Sequence, residues 1–218
     1  MAISADLRSA LRAEVTARMA QDPAHDLAHL DRVWANAQAI CDHMPSRILL
    51  AASYLHDLVN LPKDDPERHL ASRRSAEAAR PVLMARQFTA DEIEETCHAI
   101  EAHSFSACIT PNTQTARILR DADRLDALGA IGIARCFAVS GALGRDLYDP
   151  VDPFAQTRDP DDKTWSLDHF RVKLLRLPDE MLTARGAELA HDRAARMIVF
   201  LDTLASEIGT RLPDDWRA

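Results

Sequence analysis

His-Asp occurs three times in the chain, as His25-Asp26, His56-Asp57 and His191-Asp192. An imidazole beside a carboxylate can share a proton with it or share a cation, and context decides whether either is needed. His191-Asp192 sits in the charged stretch ELAHDRAAR and reads as a solvated surface pair. His25-Asp26 stands at a helix start, where Asp26 would serve as an N-cap. His56-Asp57 alone ends an apolar stretch, ILLAASYLHDLV at 48–59. That stretch is hydrophobic on almost every helical azimuth and so belongs inside a protein. Burying an unpaired imidazolium or carboxylate costs on the order of several kcal/mol. The pair must therefore be hydrogen-bonded, ion-paired or bound to a metal, and its own residues leave those readings open.

Partners for it exist elsewhere. His29 falls about 70° from the centre of the stripe Leu30, Val33, Trp34, Ala37, Ile40, Cys41, Met44, at the margin of a core, with Arg32 and Asn36 in the same polar row. Asp121, Asp123 and Asp126 interrupt the apolar pattern of Ile118, Leu119, Ala122, Leu125 and Leu128. Asp121 and Asp123 fall on opposite edges of that stripe, and periodicity does not choose between them. Mixed imidazole and carboxylate donors suit Mn, Fe, Ni, Co or Zn. His103 ends a helix opened by the capping box Thr89-Ala90-Asp91-Glu92. It could act as a general acid or base, or simply complement the helix dipole. His98 points about 140° away from it. Arg32, Lys63 and Arg124 are candidate contacts for an anionic ligand, the arginines through their two-pronged guanidinium. A surface salt bridge is the plainer reading of each, above all for Lys63 in its charged loop.

The elements that must position these residues are helices throughout. Helical stripes run over 4–20, over the His29 segment to Met44, through 70–86, from Thr89 to His103-Ser104, and over 165–176 and 179–208, with Gly209 as a C-terminal glycine. No convincing alternating strand occurs, so the fold class is all-α. Residues 145–164 are rich in Pro and Asp and predict a functional loop or lid. The formal net charge of −8 disfavours a general nucleic-acid or anionic-membrane binder. No apolar run approaches the ~20 residues that span a bilayer, and no leader pattern suggests export. The four cysteines form no C-x-x-C pair, which favours reduced thiols in a cytoplasm.

The order His29, His56-Asp57, then an aspartate in 121–126 resembles the HD-domain superfamily of metal-dependent phosphohydrolases, whose signature is H…HD…D on an all-α scaffold. HLDRV at 29–33, YLHDL at 54–58, CHAIEAHSFS at 97–106, DADRLDALGAIG at 121–132, DPFAQ at 152–156 and DHF-x-x-KLL-x-LP at 168–178 resemble its bacterial YedJ-type subgroup. The resemblance covers roughly residues 22–205, and the chain is expected to comprise an N-terminal helix over 1–21 packed on the domain, an HD domain over 22–208 and a tail over 209–218. It implies His29, His56, Asp57 and Asp123 as ligands of one divalent ion, Mn²⁺ favoured over Ni²⁺, Fe²⁺, Co²⁺, Mg²⁺ or Zn²⁺. It also implies hydrolysis of a phosphate ester or anhydride, most commonly of a nucleotide. Asp57 would orient the attacking water and His103 would act at the phosphoryl group. Two-metal members of the superfamily are less similar. The alternative is a non-catalytic module that binds metal and nucleotide.

Overall fold

The structure, a computed structural model, describes residues 5–18, 26–42, 46–61 and 65–217. Among them the fold is all-α: helices with short 3₁₀ turns, and no strand beyond an isolated bridge between Asp146 and Trp165. No single described helix is long and apolar enough to cross a membrane. The chain divides into two compact units, Met1–Asp123 and Arg124–Ala218.

The first unit is built around α3 (Arg47–Leu55), which packs against α1 (Ala5–Arg18), α2 (Leu27–Ile40), α4 (Ala71–Met84) and α5 (Ala90–His103). Every residue from Leu49 to Leu55 is buried, as an all-round apolar sequence requires. Each large side chain there contributes about 1.5–3 kcal/mol. Ser46 caps α3 by accepting from the Leu49 amide at 3.1 Å. The Tyr54 hydroxyl on α3 donates to Asp31 at 2.6 Å and accepts from Arg8 Nε at 2.8 Å, tying α1 and α2 to the central helix. The predicted capping box opens α5 and also engages Arg47, whose Nε donates to Glu92 at 2.7 Å. The sixth helix, α6 (Gln114–Asp126), brings the DADRLD stretch into this unit as far as Asp123.

The apolar stretch at 48–59 predicts a helix to Val59, yet α3 stops at Leu55 and His56-Asp57 occupy the following turn. At this turn the His56 Nδ1–H donates to the Ser53 carbonyl at 3.0 Å, satisfying an acceptor at the helix end. Beyond it, Ser75 on α4 accepts from the Val59 amide at 3.0 Å and donates to the Val59 carbonyl at 3.3 Å, which pins the exit of the turn.

In the second unit, α9 (Ala184–Glu207) packs against α7 (Gly129–Ala142) and against the 3₁₀ segment Leu174–Glu180, which also meets the short α8 (Asp168–Val172). A side chain at Gly132 would come within 2.1 Å of the Ala127 carbonyl, so only glycine allows the tight entry into α7. The stripe at 165–176 predicts one helix. Instead α8 spans five residues. The Asp168 side chain is fully buried and occupied: Arg158 donates to it at 2.5 and 3.0 Å and the Asp161 amide at 2.6 Å.

The polar loop at 145–164 folds on its own aspartates. Asp149 accepts from the amides of Val151 and Asp152, Asp152 from those of Gln156 and Thr157, and Asp161 from that of Lys163. The amides hold the Asp149 and Asp152 carboxyls below their ordinary pKa, and for Asp161 the Thr164 hydroxyl, donating at 2.7 Å, does so ahead of the Lys163 amide. Past Gly209, whose φ of +78° suits glycine, Trp216 is buried edge-on against Phe154 and donates to its carbonyl at 3.2 Å.

Replacing Asp168 by Ala would remove the buried acceptor of Arg158 and of the Asp161 amide, while Arg158 keeps Asp149 at 3.3 Å. The expected cost is about 1–3 kcal/mol, read as a lowered urea midpoint with the denaturant slope unchanged.

Candidate metal centre

Five side chains predicted from the sequence converge within the first unit: His29 from α2, His56 and Asp57 from the turn after α3, His103 from the end of α5, and Asp123 from α6. His29 Nε2 lies 3.5 Å from Asp123 Oδ1 and 3.9 Å from Asp57 Oδ2. His56 Nε2 lies 3.6 Å from Asp57 Oδ2 and 3.9 Å from Asp123 Oδ1. One ligand atom each from His29, His56 and Asp57 falls within 4.8 Å of the others. These separations are too long for hydrogen bonds. They suit donors around one cation: with bonds of about 2.1 Å, octahedral neighbours stand about 3 Å apart and opposed ligands about 4.2 Å. His56 Nε2 is buried with no hydrogen-bond partner, as a lone pair reserved for an ion would be.

Local structure determines how each donor is presented. Asp26 caps α2 by accepting from the His29 amide at 2.8 Å, fixing His29 in the first helical turn. His56 and His103 use one device twice. Each donates Nδ1–H to the carbonyl three residues earlier, His56 to Ser53 at 3.0 Å and His103 to Ile100 at 2.6 Å. Each imidazole thus satisfies an orphan carbonyl at its helix end and aims Nε2 the other way. The two rings meet edge-to-face with centroids 4.8 Å apart.

Their electrostatics diverge. Burial pushes the His56 imidazole down to about 4, opposed only in part by Asp57 and Asp123. It is neutral near pH 7, the form that ligates metal. Burial also lowers His103, but Asp57 Oδ1, 3.7 Å from its Nε2, outweighs this and holds it above its ordinary value. Asp57 therefore faces two ways, Oδ2 toward His29 and His56 and Oδ1 toward His103.

The remaining predicted residues divide. Arg32 lies half-buried on α2, one turn beyond His29. Arg124 donates to the Glu180 carbonyl at 2.7 Å and pairs with its carboxylate at 3.1 Å. Lys63 lies outside the described residues. Asp121 is fully buried on a different face of α6, and Asp126 pairs with Arg135 at 2.5 Å. The His98 ring accepts from the Asn112 amide at 3.3 Å, and His69 is exposed. Two residues that hold the site were given no role by sequence reasoning. One is Ser75, whose grip on the turn carries no sequence signal. The other is Asn36, visible only as a member of the polar row, which bonds to α6.

A model of the HD domain matches residues 26–128, a span that contains all five site residues. The uncharacterized protein YpgQ of Bacillus subtilis is 30% identical over 190 residues, covering 84% of each chain. The chain belongs to the HD-domain superfamily. The crystal structure of Bacillus subtilis YpgQ in complex with ADP is similar with a TM-score of 0.72 and 29% identity, over 93% of this chain and 98% of that one. An HD-superfamily hydrolase from Bacillus thuringiensis gives a TM-score of 0.69 and 29% identity, over 93% and 96%. Within this HD chain the signature residues are the ones that cluster, although they come from three separate stretches of sequence.

The opposed shifts can be read directly by NMR. In the metal-free protein His56 is expected to titrate near pH 4 as the Nδ1–H tautomer, and His103 above its ordinary range of about 6.5. The His56 contribution to stability is then complete above about pH 6.5 and lost as pH falls toward 4. An Nε2–H tautomer at His56 would contradict the geometry.

Proposed function

We propose that the protein is a metal-dependent phosphohydrolase whose substrate is a nucleotide, and that His29, His56, Asp57 and Asp123 hold a single divalent ion, Mn²⁺ by preference. The observation that carries this reading is the convergence of two imidazoles and two carboxylates on one small volume, with the buried His56 Nε2 left for a cation. A bound divalent ion supplies a Lewis acid for phosphate oxygens and a water of lowered pKa. His98 and His69 are engaged or exposed away from the cluster, which supports one ion rather than two.

The protein groups divide the remaining work. The neutral His56 ring, locked by Ser53, keeps its lone pair toward the site without a competing proton. Asp57 orients the attacking water and, through its other oxygen, favours the protonated form of His103. In that form His103 is a donor for a phosphoryl or leaving-group oxygen, with Nδ1 anchored to Ile100 and Nε2 free to present a proton. Arg32 and Lys63 are proposed phosphate contacts. Arg124 would have to exchange Glu180 for phosphate to join them. The nucleotide assignment is supported by the ADP in the YpgQ crystal structure. Placement in the YedJ-type subgroup continues to rest on the motif strings at 97–106 and 121–132.

A screen of the metal-loaded protein against nucleoside mono-, di- and triphosphates and simple phosphoesters, following phosphate and pyrophosphate release, tests this. Release is expected to need Mn²⁺, to vanish with chelation, and to fall by at least 10³-fold in His56→Ala. In His103→Ala the loss is expected to be 10²–10⁴-fold in kcat with the ion still bound. Nucleotide binding without turnover across the panel would instead support the non-catalytic module.

A further inference from the structure

α2 carries a second polar side chain into the core besides His29. Asn36 follows His29 by seven residues, about two turns and 10.5 Å along the same face. It is only 6% exposed, and its Nδ2 donates to the Ala122 carbonyl on α6 at 2.9 Å. Ala122 immediately precedes Asp123. A helical carbonyl has a second lone pair, so this bond adds to the helix without displacing its ladder.

A leucine would fill a similar volume with no amide to desolvate. What an amide adds is direction. It is satisfied only when α6 stands at one height and one rotation relative to α2, and buried asparagine is an attested means of fixing helix register. The tolerance is narrow. A one-residue slip of α6 displaces its side chains by about 1.5 Å and 100°. That would carry Asp123 away from His29, which it now meets at 3.5 Å. It would bring Ala122 or Arg124 to the same place.

We propose that Asn36 is a positioning residue of the metal centre, its amide clamp on Ala122 setting the Asp123 carboxylate against His29. The inference rests on reading the His29, His56, Asp57 and Asp123 cluster as a metal centre. His29 and Asn36 then act as two points of contact on one rigid helix. The first supplies a donor and the second sets the height of the donor across from it.

Calorimetric titration of Mn²⁺ into the metal-stripped full chain tests the clamp. The parent is compared with Asn36→Leu, Asn36→Ala and a stability control, Val82→Ala, at a buried position on α4, a helix that supplies no donor. The parent is expected to take up one ion. Asn36→Leu, folded by circular dichroism, is expected to bind at least tenfold more weakly, while Val82→Ala binds as the parent does despite a comparable loss in Tm. Asn36→Ala is read in place of Asn36→Leu should the latter not fold. Parent affinity in the folded Asn36 variant overturns the clamp. So does an equal loss in Val82→Ala, since the effect would then be one of stability alone. A parent that binds no ion overturns the metal-centre reading, and the clamp with it.

Discussion

Two imidazoles that cap their own helices are the constraint on which the site depends. At the ends of α3 and α5 the backbone has carbonyls without amide partners, and His56 and His103 each supply an Nδ1–H to one of them. The bond fixes the tautomer and decides which ring nitrogen faces inward. Because α3 is packed on four sides by α1, α2, α4 and α5, its end is held rigidly, and an imidazole anchored to that end inherits the rigidity. The same burial that keeps His56 neutral makes its unsatisfied Nε2 costly, so the fold carries a local destabilisation that a cation would relieve.

In the proposed function, Asp57 is the hinge between holding an ion and moving a proton. One of its oxygens faces the His29 and His56 pair and the other faces His103. The adjacency of His and Asp in sequence matters because α3 has already ended. In a turn, two successive side chains can address one volume from different directions, which 100° of separation on a continuous helix makes harder. The opposed pKa shifts of His56 and His103 follow from this arrangement, with burial ruling the first and the Asp57 carboxylate the second.

Much of this was legible in the sequence where the governing interactions are local. The burial of α3 follows from its composition, the Thr89-Glu92 box and the Gly209 stop from their own residues, and the role of Asp26 as an N-cap from its position. The stop at Leu55 was not legible, since the apolar pattern continues through Leu58 and Val59. Nor could periodicity choose Asp123 over Asp121, because the choice depends on how α6 is rotated against α2, a contact across 86 residues. The family resemblance named Asp123, and the distances bring it to His29. Arg124 illustrates another reason. Its charge suggested a phosphate contact, but a guanidinium can be used by Glu180 across 56 residues, as the aspartates of 145–164 are used by the amides of their own loop. Charge in a sequence does not disclose its partner.

Crystals of the full chain grown with Mn²⁺ and measured for anomalous scattering at the manganese edge test the central claim most directly. The account predicts one peak within about 2.0–2.3 Å of His29 Nε2, His56 Nε2 and an oxygen of each of Asp57 and Asp123. The absence of a peak there, or an ion held by other residues, would contradict it.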